Sequence, residues 1–183
     1  MIRKLVVLAL ALNVLALVHP LRAQEQSGRA TSAMPAQAAY ATIAEIVRLL
    51  KADAATDWSR VNLEALRQHL IDMDEVTMHA SVAQRQIAGG AEMDVTGNGR
   101  TAAAIARMLS NHAKMLDQEP EYRASVVPIA NGVRFTVTAR NREDARIVTR
   151  IRGLGFAGLL TEGDHHATHH LMLARGDAHS HMQ

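Results

Sequence analysis

Apolar residues recur at helical spacing in two stretches near the start of the candidate folded region. The first predicts an amphipathic helix over residues 39–52, with its apolar face at Tyr40, Ile43, Ile46, Val47 and Leu50. The second carries Leu63, Leu66, Leu70 and Met73 on one stripe. Asn62 precedes this stripe and is a good N-cap, so we expect a second helix to begin there.

From Val76 onward the pattern changes to alternating apolar and polar positions, which is typical of strands. We predict strands over about residues 76–87, 91–96, 122–129 and 132–139, and helices over about 100–117 and 142–152. Gly89-Gly90 and Asn131-Gly132 are hairpin-turn sequences. The glycines at 153, 155 and 158 are expected to end the second of these helices.

The same region resembles itself at a shift of 42 residues. Residues 90–112 align without a gap on 132–154, and six of the 23 positions are identical. Each copy is a ββα unit. The expected fold is therefore an α+β two-layer sandwich with an antiparallel or mixed four-stranded sheet and both helices on one face. Two N-terminal helices and a short His-rich C-terminal helix complete it.

The N-terminus has the features of a secretory signal peptide. Arg3 and Lys4 precede an apolar run that is shorter than a membrane-spanning helix, and Ala23 is the expected cleavage point. We expect a signal peptide at 1–23, a disordered leader at 24–38, helices at 39–75, the duplicated domain at 76–160 and a His/Met-rich end at 161–183. The mature chain would be periplasmic or secreted, with no stable membrane anchor.

Composition narrows the function further. The 183 residues include no cysteine, which excludes disulfides, thiolate metal sites and a cysteine nucleophile. Without residues 1–23 the chain has 17 basic and 18 acidic residues, and no basic stripe with aromatic residues is present. A nucleic-acid partner is therefore not expected.

Histidine is the unusual component, because six of the ten histidines lie in the last twenty residues. Asp164 can cap a helix and Gly176 can end it, so residues 165–175 are predicted to be helical. On that helix His165 and His169 are one turn apart, and so are His166 and His170. Each pair can place two imidazoles on one metal ion.

Imidazole ligands suit Zn²⁺ and Cu²⁺, and a thioether from Met172 would add a preference for Cu⁺. The HExxH helix of zinc proteases is not matched, because His166 stands where the general-base Glu would be. The alternative is that the His-rich end is a solvated, compositionally biased tail that binds metal only weakly. His179 and His181 fit that alternative better, since they lie at the terminus.

Two further histidines are candidate ligands. His112 lies on the apolar stripe of its helix, where a core histidine with a backbone partner is the usual finding; the alternative is a ligand that meets the C-terminal pairs. His69 and Met73 form another pair at helical spacing, for which ordinary packing is favoured. If His69, His112 and the C-terminal helix converge, the site has mixed nitrogen and sulfur ligands.

The remaining motifs carry little chemistry. Arg142, Arg146 and Arg150 recur at helical spacing and read as an exposed charged face, and the loop at Gly97 lacks phosphate-loop spacing. No nucleophile-elbow motif is present, so no enzyme is expected. A metal-dependent hydrolase at the same histidines would need a nearby carboxylate base such as Glu162.

These patterns lead to two functional hypotheses. The first is an exported transition-metal-binding protein, for copper or zinc, with ligands from His165, His166, His169, His170, His112 and Met172. Its role would be buffering, delivery or sensing. The second is a non-catalytic module that binds an envelope protein or forms a homodimer without a physiological metal. An uncovered apolar patch on the sheet would favour the second.

Overall fold

The computed structural model describes residues 19–163 and 166–177, with side chains from residue 36 onward apart from residues 164–166. It consists of two compact units that meet in the chain between Thr42 and Ile43. The described part of the first unit is helical. The second unit contains the sheet, the remaining helices and both hydrophobic cores.

Five helices and four strands follow one another in the described chain. They are α1 (His19–Ala52), α2 (Leu63–Asp74), β1 (Ser81–Ile87), β2 (Gly90–Thr96), α3 (Arg100–Gln118), β3 (Tyr122–Ile129), β4 (Gly132–Ala139), α4 (Ala145–Leu159) and α5 (His166–Arg175). A short π-helix (Glu75–His79) continues α2. The predicted α+β fold with a four-stranded sheet and a short C-terminal helix is confirmed.

The sheet is antiparallel throughout, and its strands are ordered β1-β2-β4-β3. Along the two central strands every second side chain is buried, at Ala91, Met93, Val95, Val133, Phe135 and Val137. This alternation places one face of the sheet against α3 and α4, which contribute Ile105, Leu109 and Ile151 to the same core. The opposite face carries the polar residues of the alternation.

The register of β2 on β4 relates the two predicted copies to each other. Met93 pairs with Phe135, and these positions are 42 residues apart. The turns match in the same way, because Gly97 N–H donates to Asn131 O and Ala139 N–H donates to Gly89 O, both at 2.9 Å. The pairing of β2 with β4 therefore has approximate two-fold symmetry. The duplication inferred from the sequence remains a prediction.

A second, smaller core lies beside the sheet domain. It contains Ile46 and Leu50 of α1, Leu66 of α2 and Ala174 of α5, all at most 2% exposed. As predicted, the Asn62 side chain caps α2 by accepting the Ala65 N–H at 2.9 Å. This core holds α5 against α2 and so decides which histidines can meet.

Three elements differ from their predicted bounds. Residues 76–79, assigned to the first strand, belong to the π-helix, and Val76 is buried in the main core. Helix α4 begins at Ala145 and is assigned through Leu159, but the non-helical backbone of Gly155 (φ 58°, ψ −165°) divides it into two helical segments. The first segment therefore ends at the predicted glycines, and the second buries Phe156 and Leu159. Helix α1 includes residues 24–38, predicted as a disordered leader; this stretch is rich in alanine and glutamine, both good helix formers. Its side chains before residue 36 are not described, and residues 1–18 of the expected signal peptide lie outside the described range.

Candidate metal centre

Three imidazole rings meet between α2 and α5. The ring of His69 on α2 lies 4.8 Å from the ring of His169 and 5.3 Å from the ring of His170, measured between centroids. Both contacts are edge-to-face. His170 is buried, whereas His69 and His169 are half-buried. We call these three residues the histidine cluster.

Helix α5 is held in place at its C-terminal end. The Asn62 N–H donates to Ala174 O at 2.7 Å, and Arg175 Nη2 lies 2.5 Å from Asp53 Oδ2. Gly176 adopts a φ of 75°, and a Cβ at this position would stand 2.7 Å from Arg60 O. These contacts and the buried Ala174 fix the position of α5, so the approach of its histidines to His69 depends on tertiary packing.

A buried carboxylate stands one turn after His69 on α2. Asp72 accepts hydrogen bonds from Arg107 Nε at 2.9 Å and Arg107 Nη2 at 2.8 Å, and from Gln68 Nε2 at 3.2 Å. The Arg107 bonds hold the pKa of Asp72 below its ordinary value, and a protonated His69 acts in the same direction. This two-bond ion pair joins α2 to α3 and fixes the helix that carries His69.

The ring separations suit a shared ion. Two imidazoles on one tetrahedral Zn²⁺, with Zn–N bonds of about 2.0–2.1 Å, have centroids about 5 Å apart. The 4.8 and 5.3 Å separations lie on either side of that value. The rings nevertheless pack edge-to-face, and within the described ranges no group of three or more His, Asp or Glu side chains is arranged to hold a metal ion. Coordination would require the rings to turn about their side-chain torsions.

His112 lies in the main core. Its Nε2 is 2.9 Å from Leu159 O, and its ring contacts Phe135 edge-to-face at a centroid distance of 6.2 Å. The side chain is 5% exposed. This is the arrangement of a core histidine with a backbone partner, which was the structural alternative to a ligand role.

The other predicted ligands are placed only in part. Met172 follows His169 by three positions on α5 and is half-buried. His165, His179 and His181 lie outside the described residues, and the side chain of His166 is not described. Helical spacing pairs the histidines within α5, whereas the described ring contacts join α5 to α2. In the sequence, only the helical spacing of His69 and Met73 pointed to His69 as a candidate ligand.

The uncovered face of the sheet is charged. Arg134 forms two hydrogen bonds with Asp94, at 2.7 and 2.9 Å, and Arg85 forms an ion pair with Glu92. These four side chains cross β1, β2 and β4. The centre of this face is therefore polar.

No helix in the described part of the chain is both long enough and apolar enough to cross a membrane. No protein-family model, no curated protein and no solved structure matches this chain.

Proposed function

We propose that this protein is an exported transition-metal-binding protein that takes up copper or zinc at the histidine cluster, for buffering, delivery or sensing. The observation that carries the proposal is the approach of three imidazole rings from two separate helices. Neutral imidazole is a good ligand for both metals, and the absence of cysteine leaves histidine and methionine as the soft or borderline ligands of the chain.

Packing contacts and ion pairs form a frame that fixes the two helices carrying the histidine cluster. The small core and the Arg175–Asp53 pair fix α5, and the Asp72–Arg107 pair fixes α2. Binding one ion would require the imidazoles to turn about their side-chain torsions. Because the frame exists only in the folded chain, a metal bound by both helices stabilises the folded state.

The alternative of an interaction module is not favoured by the uncovered sheet face. An uncovered apolar patch would favour that hypothesis, and the centre of this face carries Arg85, Glu92, Asp94 and Arg134. We therefore retain metal binding as the proposed function.

The test is a titration of the full chain, without an affinity tag, with Zn²⁺, Cu²⁺ and Cu⁺ against competing chelators. We expect one metal per chain and a raised melting temperature. His69→Ala and His169→Ala should each weaken binding about tenfold or more, since each removes one ligand bond. His79→Ala is the matched control because His79 is exposed and makes a 3.7 Å pair with Asp74 away from the cluster.

Two outcomes contradict the proposal. Unchanged affinity in His69→Ala would mean that any metal is held within α5 or the terminal residues. Weak multisite binding without a rise in melting temperature would mean that the histidines bind metal individually and form no shared site. Circular dichroism of each variant checks that α2 and α5 still fold.

A further inference from the structure

A basic pocket is formed by side chains of β3 and β4 together with the end of β1. It has a volume of about 550 Å³, within the usual range for small-molecule sites. Three arginines line it, Arg123, Arg140 and Arg142, together with a single acidic residue, Asp117. The hydroxyl-bearing side chains of Ser125, Thr136 and Thr138 form part of its wall. The lining therefore carries an excess of positive charge and several neutral donors.

The one carboxylate of this pocket is already engaged. Asp117 Oδ1 accepts the Ala124 N–H at 3.0 Å. Arg140 Nη2 donates to two carbonyl oxygens at the end of α3, Asp117 O at 2.5 Å and Glu119 O at 3.2 Å. These bonds anchor Arg140 without neutralising it, because carbonyl groups carry no net charge.

The side chains of Arg123 and Arg142 form no hydrogen bond or ion pair within the described residues. The stem of Arg142 packs on the β1–β2 turn, where its Cγ lies 2.7 Å from the place of a Cβ on Gly89. Gly89 has a φ of 78°, so glycine both permits this turn and leaves room for the arginine stem. The turn thus holds Arg142 at the pocket.

The first half of the domain provides an internal comparison. Arg100 stands 42 residues before Arg142 and is the first residue of α3, whereas Arg142 lies three residues before α4 begins. The Arg100 Nε lies 3.9 Å from Glu75 Oε1. Glu75 also accepts a 2.7 Å hydrogen bond from the Thr101 hydroxyl. Glu75 in turn stands 42 residues before Asp117. Glu75 and Arg100 thus form an ion pair, whereas 42 residues later Asp117 and Arg142 form none and both line the pocket.

We propose that this pocket binds an oxyanion, the carboxylate or phosphate group of a small ligand, between Arg123 and Arg142. Arginine presents parallel N–H donors that match both groups, and the wall hydroxyls add further donors. This site is separate from the histidine cluster and does not depend on the proposed metal function.

The test is calorimetric titration of the full chain, freed of metal with a chelator, with inorganic phosphate in one arm and citrate in the other. We expect saturable binding of at least one of the two, and the tighter arm identifies the oxyanion class. Arg142→Gln and Arg123→Gln should each weaken it about tenfold, the usual cost of losing a charged hydrogen bond. Arg100→Gln is the matched control and should change affinity less than about twofold, since Arg100 already faces Glu75.

The proposal is overturned if neither anion binds saturably at concentrations up to about 10 mM, which corresponds to a negligible affinity. It is also overturned if Arg100→Gln weakens binding as much as Arg142→Gln, because the effect would then be one of net charge. Arg123→Gln keeps the test valid if Arg142→Gln unfolds the β1–β2 turn, since Arg123 is exposed on β3.

Discussion

His69 of α2 and His169 of α5 stand 100 positions apart in the chain, yet their ring centroids are 4.8 Å apart. The contact exists because α5 packs on α2 through Ala174 and Leu66 of the small core. Helical spacing within α5 relates its histidines only to one another. A site shared between helices therefore depends on how α5 is attached.

This dependence can be tested at a residue outside the cluster. Gly176→Ala places a Cβ 2.7 Å from Arg60 O at a positive φ, so we expect it to cost about 1–3 kcal/mol and to loosen α5. Metal affinity should fall with stability although no histidine is changed. Urea unfolding and metal titration measure the two effects.

The control for this change is Gly153→Ala in α4, where nothing lies within 4 Å of an added Cβ. It should leave metal affinity unchanged and leave stability unchanged or raised by up to about 1 kcal/mol. Undiminished metal binding by a destabilised Gly176→Ala chain would show that α5 docking does not build the site.

Substitution of either glycine that begins a central strand should also destabilise the fold. A Cβ on Gly90 would stand 2.0 Å from Val137 O, and a Cβ on Gly132 would stand 2.0 Å from Val95 O. Because both obstacles are backbone atoms of a neighbouring strand, Gly90→Ala and Gly132→Ala should each cost about 3 kcal/mol or more. Chemical unfolding measures both, and a large effect at only one position would argue against equivalent strand packing.

The Asp72–Arg107 pair predicts an acid-sensitive stability. The pKa of Asp72 is lower in the folded chain than its value of about 3.9 in the unfolded chain. The ion pair therefore stabilises the fold fully above about pH 3.9, and this stabilisation is lost as pH falls through the lowered pKa. Asp72→Asn should lower the free energy of unfolding by about 1–2 kcal/mol at neutral pH and make it less dependent on pH in acid. Thermal melts between about pH 2 and 7 cover this range.

Glu45→Gln is the matched control for Asp72→Asn. Glu45 pairs with Arg48 on the exposed surface of α1, so its replacement should leave stability and its dependence on acid pH nearly unchanged. An acid limb that is identical in the wild-type chain and in Asp72→Asn would show that the ion pair between α2 and α3 does not stabilise the fold.

Tyr122 predicts the opposite pH dependence. Burial, together with the 2.7 Å hydrogen bond from its hydroxyl to Glu162, raises its pKa to about 12 from an ordinary value of 10.0. Its contribution to stability is therefore complete below pH 10 and is lost as pH rises from 10 through 12. Tyr122→Phe should cost about 1 kcal/mol at neutral pH and flatten the alkaline limb.

Tyr40→Phe is the control for the tyrosine prediction, because Tyr40 is 76% exposed and should contribute little to stability. Alkaline unfolding followed by circular dichroism separates the two variants. A wild-type alkaline limb retained in Tyr122→Phe would assign the loss of stability to other groups.

Local pattern was sufficient for most of the sheet domain. Alternation at Ala91, Met93 and Val95 predicted a half-buried strand, and the structure buries those three residues. Turn chemistry at Asn131-Gly132 predicted a hairpin, and Asn131 indeed has a positive φ of 58°. These features depend on period and backbone preference, which neighbouring residues in the chain determine by themselves.

Local pattern was right about one break and wrong about one strand end. Gly155 predicted a helix end, and the chain does leave helical geometry there before a second helical segment buries Phe156 and Leu159. Val76 satisfied the strand pattern and is buried instead from a π-helical turn. At Val76, tertiary packing outweighed a local strand preference of about 1 kcal/mol.

The sequence by itself determined the α+β class, the four strands, the Asn62 cap and the presence of many histidines near one end. Only the tertiary structure decided which side chains meet: His69 with His169 and His170, His112 with Leu159 O, and Arg142 with a pocket rather than a carboxylate. Spacing along a helix or strand sets which residues share a face. Which faces come together depends on the packing of whole elements into a common core, and that is a property of the complete fold.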